Sequence, residues 1–579
     1  MKSIKTYTKN SKKHNKKQNI FIGLAWPYVN GDLHIGHLAG YLLPGDFCAR
    51  FHRLKGNKVL MVSGADCHGT PATLEADKLK IKPQDVVAKY FKEHQRLIKN
   101  ADLSFDIYTK TTTENHKKTV QEFFLKFLNQ GYIFKKTTKQ FYSPQENKFL
   151  ADRYVKGTCP YCGFQNTRSD QCENCNKLIN PEELINPYSR VSQQPLILKE
   201  TEHYFMDWKK LEPFLKKYFE SHKKLWRLWI QNETQKWLEK GLEPTPITRD
   251  LDWGIELPIA QIPKSLRLEN IQNKRIYVWF EAVIGYFSAS KEWAKKHKKN
   301  YKDFWYSKNT KHYYFMGKDN LVFHTLFWPA ELYLYDKKIH LPDVLAINQF
   351  LNLEGNKFSK SHGYTVDSSY ILEKYGSDQV RFYLASIMPE ESDANFSWTD
   401  FQSRTNDVLI ANFGNFINRV LNLAEDVKIP KHVHLDKEIL QYSTKIYQKI
   451  IQSLDNVQLK NYFNELVDFS SWANKYISNQ KPWSLKNTNR AQFDEIMLNC
   501  LYLVLCLDLL AKPILTQGTD KIDKMLGIKI KVWPEVKKFN TYLTSLLCQI
   551  KIKNISPLYQ KIENEQIKLE EEKLIQQRI

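Results

Sequence analysis

No apolar run in this sequence is long enough to cross a bilayer. The longest candidate, Leu501–Leu515, is broken by Asp508 and Lys512 and reads as a core helix. A secretory signal is also missing. Met1–Asn19 is rich in Lys and Asn, without an apolar centre, a small-residue cleavage site or the Arg-rich amphipathic pattern of a transit peptide. These absences predict a soluble, cytoplasmic protein with no membrane partner and a basic disordered tail at 1–18. Acidic residues are in short supply, 63 against 86 Lys and Arg, for a formal net charge of +23. That balance suits a polyanionic partner, nucleic acid first, although Lys abundant beside Asn and Ile would give the same sum. Cysteine is too sparse and too uneven for a disulfide framework. There are nine, an odd total, and four fall in one short segment, which points to a reducing compartment and a metal site. No internal repeat is present.

What is there is enough for three or four domains in 579 residues. From Ile20 to about 130, apolar runs (Ile20–Leu24, Lys58–Val62) alternate with helix-like segments (Lys89–Lys99, Val120–Asn129), an α/β pattern. A loop-rich insert follows, 131–248, closed by Pro244 and Pro246. Strand-like runs return at Arg275–Phe280, Lys311–Met316 and Val344–Leu351, predicting a parallel sheet interrupted and then resumed over 249–350. A loop and connecting region takes 351–400. Beyond it, Asp407–Leu423, Lys437–Leu454 and Phe493–Leu510 have helical period and almost no Gly, so 401–540 reads as all-α. The remainder, 541–579, ends in a Glu/Lys/Gln-rich stretch, Ile562–Ile579, that reads as one exposed helix or a frayed end.

Three segments carry chemistry. Ala25-Trp-Pro-Tyr-Val-Asn-Gly-Asp-Leu-His-Ile-Gly-His37 follows a strand and opens a helix, the arrangement that turns backbone N–H groups toward a phosphate. His34 and His37 are three apart, so both rings share a face, and Gly36 between them leaves room for close approach. Cys159-Pro-Tyr-Cys162 and Cys172-Glu-Asn-Cys175 form two C-x-x-C knuckles, which together fill a tetrahedron around one structural zinc and leave no position for substrate. Lys357-Phe-Ser-Lys-Ser361, after the turn at Asn352–Asn356, suits a clamp on polyphosphate, because lysine charge offsets what develops as pyrophosphate departs. Taken alone, such a loop is usually just solvated.

Together these segments resemble a class I aminoacyl-tRNA synthetase, and the detail resembles the methionyl-tRNA synthetases. The likeness is carried by Ala25–Gly31, Gly64-Ala-Asp-Cys-His-Gly-Thr-Pro71, the four cysteines, Tyr277–Tyr286, Gly317–His324, Phe327-Trp-Pro329 and Asn474–Trp483. It implies a Rossmann-type parallel sheet with an inserted zinc-knuckle connective domain, followed by an all-α anticodon-binding bundle. It also implies ATP, accompanied by Mg2+, and L-methionine as substrates, and initiator and elongator tRNA(Met) as partners. On that likeness His34, Gly36, His37, Arg249 and Lys360 contact ATP, with His34, His37, Lys357 and Lys360 catalytic. Tyr28, Asp66, Trp279, Ala282, Tyr286, Phe323, His324 and Trp328 form the methionine pocket, aromatic walls suiting a polarizable thioether and Asp66 the substrate ammonium. Trp483 and Asn422 read the anticodon. Asp426 stands where many relatives have arginine, and Phe358, Glu281 and Val283 are further departures. The appended C-terminal domain of some relatives has no counterpart, so a monomer is expected. The insert leaves little room for the editing domain of leucine, isoleucine or valine enzymes.

Overall fold

The computed structural model describes residues 17–169, 172, 174, 175, 177, 179–356, 358 and 364–576. Its centre is a five-stranded sheet. In chain order the elements needed here are β1 (Asn19–Leu24), β2 (Lys58–Ala65), β3 (Ile107–Lys110), β4 (Ile133–Ser143), β5 (Ile197–Met206), β6 (Thr310–Gly317) and β7 (Val344–Asn348). The sheet runs β7-β6-β1-β2-β3, every pair parallel, with Asn19 opposite Thr310 and Lys58. Phe21, Ile22, Leu24, Met61, Val62 and Phe315 are wholly buried. Continuous apolar strands of this kind fit a parallel sheet covered on both faces, and helices Leu43–Leu54 and Gly285–His297 pack on it.

Between β3 and β6 the chain leaves the sheet. β4 and β5 form a long antiparallel pair, Ile133 opposite Met206 through to Tyr142 opposite Ile197. At its far end a three-stranded sheet of Val155–Thr158, Thr167–Arg168 and Ile185–Ser189 carries the cysteines. This knob has its own core, with Phe141, Tyr154, Val155, Cys159, Cys172 and Leu184 packed apart from the main one. The expected strand Arg275–Phe280 is a correction. Only Lys274–Ile276 is strand, antiparallel to Thr248–Asp250 and Ile255–Glu256, and Val278–Glu281 is already helical. A short apolar run has no period that separates strand from helix, and here Val278–Glu281 continues through the turn Ala282–Ile284 into helix Gly285–His297.

The C-terminal half is helical, with Lys437–Asp455, Leu459–Gln480, Arg490–Ala511 and Thr516–Leu526 as its main rods. Arg490–Ala511 is central, every residue from Ile496 to Ala511 being buried. Among the described residues, no helix is long and apolar enough to cross a membrane. The two halves share one hydrophobic core. Arg381, fully buried, pins them together: it donates to Asp46 Oδ2 (2.7 Å), Ala101 O (2.9 Å) and Ile514 O (2.7 Å). Burial alone would push the Asp46 carboxyl up, but Arg50 and Arg381 outweigh it and hold the group below the usual range. The C-terminal stretch corrects a second expectation. Helix Asn564–Gln576 is docked, burying Ile567, Glu570 and Leu574, and Glu570 accepts from Tyr370 Oη at 2.5 Å and from Lys374.

Candidate active site

His34 caps the helix that starts at Ile35. Its Nδ1 accepts from the Gly36 amide (3.1 Å), while His37 Nδ1 accepts from the His34 amide (3.2 Å), a reciprocal capping box made of two imidazoles. With its Nδ1 accepting, the His34 ring carries its proton on Nε2 and so is a donor at its outer nitrogen, whereas His37 Nδ1 lies equally 3.2 Å from His34 O, to which it donates in its other tautomer. The ring centroids lie 4.1 Å apart. A Cβ on Gly36 would meet the His34 ring at 2.8 Å, so glycine here makes space for the cap, where the sequence suggested space for a ligand.

Some 320 residues later in the chain, Phe358 stacks on His34 at 4.6 Å with an 11° tilt between rings. The stretch after the lysine loop completes the contact: Val366 O accepts from the Ile35 amide and Leu33 O from the Ser368 amide. Lys357 and Lys360 themselves lie outside the described residues.

A cavity of about 410 Å³ opens over this junction. Tyr28, His34, Gly36, His37, Asp66 and Trp279 line it, joined by Ala282, Tyr286, Phe323 and His324. Trp279 and Phe323 stack at 4.3 Å, with Tyr28 edge-on to Trp279 at 6.5 Å. His324 Nδ1–H donates to Asn320 O (2.9 Å), so its Nε2 accepts from Tyr286 Oη (2.8 Å). Burial lowers the His324 pKa to about 4, which keeps the ring neutral. Asp66 sits just past the end of β2, 4 % exposed, held by a bridge to the strand-like turn at Tyr28. Its Oδ1 has no hydrogen-bond partner among the described residues. Burial, then the nearby Glu281 carboxylate, pushes its pKa well above the usual range. A buried carboxyl without a cation, at the mouth of an aromatic pocket, is a place prepared for a positive group.

Two expected residues stand elsewhere. Trp328 is fully buried and donates to Tyr314 Oη (3.0 Å), backing Tyr286 without lining the cavity. Arg249 also lies off the lining, its guanidinium stacked 4.3 Å above Tyr277 on strand Thr248–Asp250. Conversely, the sequence reading passed over Trp26, which lines the cavity, and a buried relay behind it. Glu281 accepts from His68 Nδ1 (2.8 Å) and His116 Nε2 (3.3 Å), and His116 Nδ1 meets Ser288 Oγ at 2.8 Å. Burial pushes Glu281 up, yet the two imidazoles outweigh it and hold it low. His68 and Glu281 thereby fasten the turn bearing Asp66 to the helical segment bearing Trp279 and Ala282. His68 and Glu281 stand in the quoted motifs and His116 and Ser288 outside them, and nothing in the sequence hinted that they pair.

The four cysteines converge. All four sulfurs lie within 4.8 Å of one another, Cys159 to Cys175 at 3.9 Å and Cys162 to Cys172 at 3.6 Å. Tetrahedral zinc with Zn–S of about 2.3 Å requires sulfurs about 3.8 Å apart. Amides of Tyr161 and Cys175 donate to Cys159 and Cys172 Sγ, as thiolates require. The donor set fits a metal ion of that kind. In the helical half, Trp483 is 47 % exposed under the Arg419 guanidinium (5.9 Å), and Asn422, on helix Asn415–Leu423, is exposed and bonded to Asn418. Asp426 pairs with Arg490 (3.1 Å) and Lys486 (3.4 Å).

Comparison with known proteins agrees with this geometry. The family described as tRNA synthetases class I (M) matches residues 20–421, and the anticodon binding domain of methionyl tRNA ligase matches 431–578. Methionine–tRNA ligase from Roseiflexus sp. (strain RS-1) is 39 % identical over 530 residues, 89 % of this chain and 88 % of that protein. The Picrophilus torridus protein of the same name is 39 % identical over 516 residues, 88 % of this chain and 73 % of its own length. A solved Mycobacterium tuberculosis methionyl-tRNA synthetase in complex with methionyl-adenylate shares the fold, with a TM-score of 0.72 at 23 % identity over 88 % of this chain and 94 % of that one. Matched by both family profiles and by relatives along most of its length, the chain belongs to the methionyl-tRNA synthetase family.

Proposed function

We propose that the chain activates L-methionine with ATP, releasing pyrophosphate, and then transfers methionyl from the adenylate to the 3′ end of initiator and elongator tRNA(Met). The observation that supports it most is the single cavity uniting the two-histidine cap, an aromatic pocket and the buried Asp66 carboxyl, whose Oδ1 has no partner among the described residues. In this reading Asp66 takes the methionine ammonium, while Trp279, Phe323, Tyr286 and Tyr28 surround the thioether, with Ala282 beside them. Trp328 supports Tyr286 from behind. His324, neutral and fixed between Asn320 and Tyr286, orients that tyrosine near the sulfur.

The methionine carboxylate attacks the α-phosphorus in line, a step that needs positioning and charge stabilisation and no covalent nucleophile. His34 donates from Nε2 to a phosphate oxygen beside Gly36, and His37 contacts the phosphates next to it. Lys360, supported by Lys357, neutralises the departing pyrophosphate, and Arg249 reaches toward it by leaving its stack on Tyr277. Mg2+ accompanies ATP and supplies charge to its phosphates. The four cysteines hold one structural zinc; bound there, it orders the small knob and leaves no open position. Asn422 and Trp483 present the anticodon contacts, and the protein works as a cytoplasmic monomer. The domains divide as a tail at 1–18, sheet halves at 19–130 and 249–350 around the insert 131–248, a connecting region 351–400, the helical unit 401–540 and the extension 541–579.

Methionine-dependent ATP–pyrophosphate exchange by the purified protein tests the reading. Exchange driven by valine or leucine and not by methionine rejects it.

A further inference from the structure

The parallel sheet has two edges that its strand ends define. Gly317, the last residue of β6, lines the substrate cavity. Thr310, the first, lies seven residues earlier and so about 23 Å away, at about 3.3 Å per residue. The segments at that far rim are bonded into one surface: Asn309 Nδ2 donates to Lys17 O (2.8 Å), Asn19 Nδ2 to Asp303 O (2.8 Å) and the His340 amide to Trp305 O (2.8 Å). Positive charge is concentrated there. Residues 291–311 hold eight lysines against Glu292 and Asp303, and residues 1–17, which join the rim at Lys17, hold seven lysines and no acid. These two stretches carry thirteen of the net +23 of a 579-residue chain, which an evenly Lys-rich composition does not produce. Lys295, Lys296, Lys298, Lys299, Lys302 and Lys308 are all exposed and make no ion pair among the described residues. The acids turn to other partners: Glu292 accepts from Thr109 Oγ1 (2.8 Å) and Asp303 Oδ1 from Asn300 Nδ2 (3.3 Å). A helix C-terminus favours lysine, but that accounts only for Lys295 and Lys296 in the last turn of Gly285–His297, and the other four stand beyond it.

We propose that this rim binds the phosphate backbone of a second RNA while a tRNA is held at the cavity on the opposite edge of the sheet. A tRNA whose end enters the cavity approaches the C-terminal ends of the strands, which leaves the N-terminal rim for another molecule. A dense patch of lysine without acidic partners is the electrostatic footprint of a nucleic acid. Residues 291–311 contain no arginine, whose planar fork suits bidentate recognition, so the contact is point charge to phosphate and indifferent to sequence. Two other polyanionic partners fit less well. Protein interfaces are depleted of lysine and centred on apolar side chains, and a lipid surface is gripped by apolar residues that enter it. Neither kind of anchor is available here, because none of the exposed large apolar side chains among the described residues lies between Leu266 and Phe350. The family works on RNA, so RNA is the phosphate polymer this protein meets.

The test uses the full chain with one equivalent of tRNA bound and follows a fluorescent RNA duplex of about 20 base pairs. Its affinity should fall about a hundredfold between about 50 and 200 mM salt, the dependence that about four neutralised phosphates give. A variant carrying Lys295→Gln, Lys296→Gln, Lys298→Gln and Lys299→Gln should bind the duplex about tenfold more weakly at the lower salt, with a flatter salt dependence. Its aminoacylation rate should stay within about twofold, which also shows that it is folded. A second variant, Lys524→Gln, Lys529→Gln, Lys531→Gln and Lys553→Gln, loses the same charge from exposed positions on the helical half and should bind the duplex as the unsubstituted protein does. Equal losses in the two variants would reduce the effect to net charge and overturn the proposal. It is also overturned by a fall in aminoacylation parallel to the loss of duplex binding, which puts the rim in the path of the tRNA. Unchanged duplex binding in the rim variant, with loss of binding only to vesicles of anionic phospholipid, rejects RNA as the partner.

Discussion

Asp66 is 4 % exposed and Trp483 is 47 %, and each typifies the half of the molecule that holds it. In the sheet half, the cavity is assembled from stretches around residues 25–41, 66, 279–286, 317–324 and 349–358, and Asp66 in its lining and Glu281 behind it are buried carboxyls with displaced pKa values. In the helical half, the candidate contacts stand on helix surfaces, held by a few local bonds such as Asn422 to Asn418. Bond-making requires groups removed from water, where their fields are strong, and several chain segments must meet to exclude it. Stacking on a base requires the opposite, a face left open. The two halves should therefore fail differently when altered.

The largest break is expected at the cap. His37→Ala should lower exchange by about 10²–10³-fold, the usual cost of losing a preorganised donor, with tRNA affinity unchanged. An equal fall in tRNA affinity would erase the contrast between the halves. Next comes Asp66→Asn, for which the KM for methionine should rise about 10–100-fold while the anticodon contacts are untouched. The same group sets a pH dependence. Because the Asp66 pKa is raised in the folded protein, methionine binding should weaken as pH falls through that raised value, where an ordinary aspartate of pKa about 3.9 would still be ionised. Methionine affinity that weakens only where an ordinary aspartate would protonate rejects the assigned role. Trp483→Ala should cut aminoacylation about tenfold and leave exchange alone, by loss of one stacked base. The smallest effect on activity as a whole, within about twofold, belongs to Cys159→Ser. The cysteine knob has its own core, so zinc content should drop from about one per chain to near zero while activation continues.

The contrast also governs what could be read from the chain. Contiguous motifs were legible: His34–His37, the cysteine pairs and β1, β6 and β7 stand close to where the sequence placed them, because each is fixed by local spacing. The pocket was legible only through likeness to a family, since Asp66, Trp279 and His324 meet through the fold alone. Likeness also blurred two distinctions. It gave no way to tell Tyr286, on the wall, from Trp328, behind it. It pointed Arg249 at a phosphate, while the guanidinium lies on Tyr277. The Glu281 relay was invisible because its partners, His68 and His116, are 213 and 165 residues away. The C-terminal helix was misread because its buried stripe is narrow, Ile567 and Leu574 seven residues apart, amid charges that suggest full exposure.

The parallel pairing of β1 with β6 has a consequence for how the chain is made. Asn19 and Thr310 are neighbours in the sheet but about 290 residues apart in the polypeptide. At about 5–20 residues per second, the ribosome needs roughly 15–60 s between one and the other. During that interval β1 can pair with β2, but its other edge is open, an apolar strand awaiting a partner not yet synthesised. The insert, whose β4–β5 pairing closes within 75 residues, can fold meanwhile. Until β6 emerges, the nascent chain thus carries a finished knob beside an unfinished catalytic sheet.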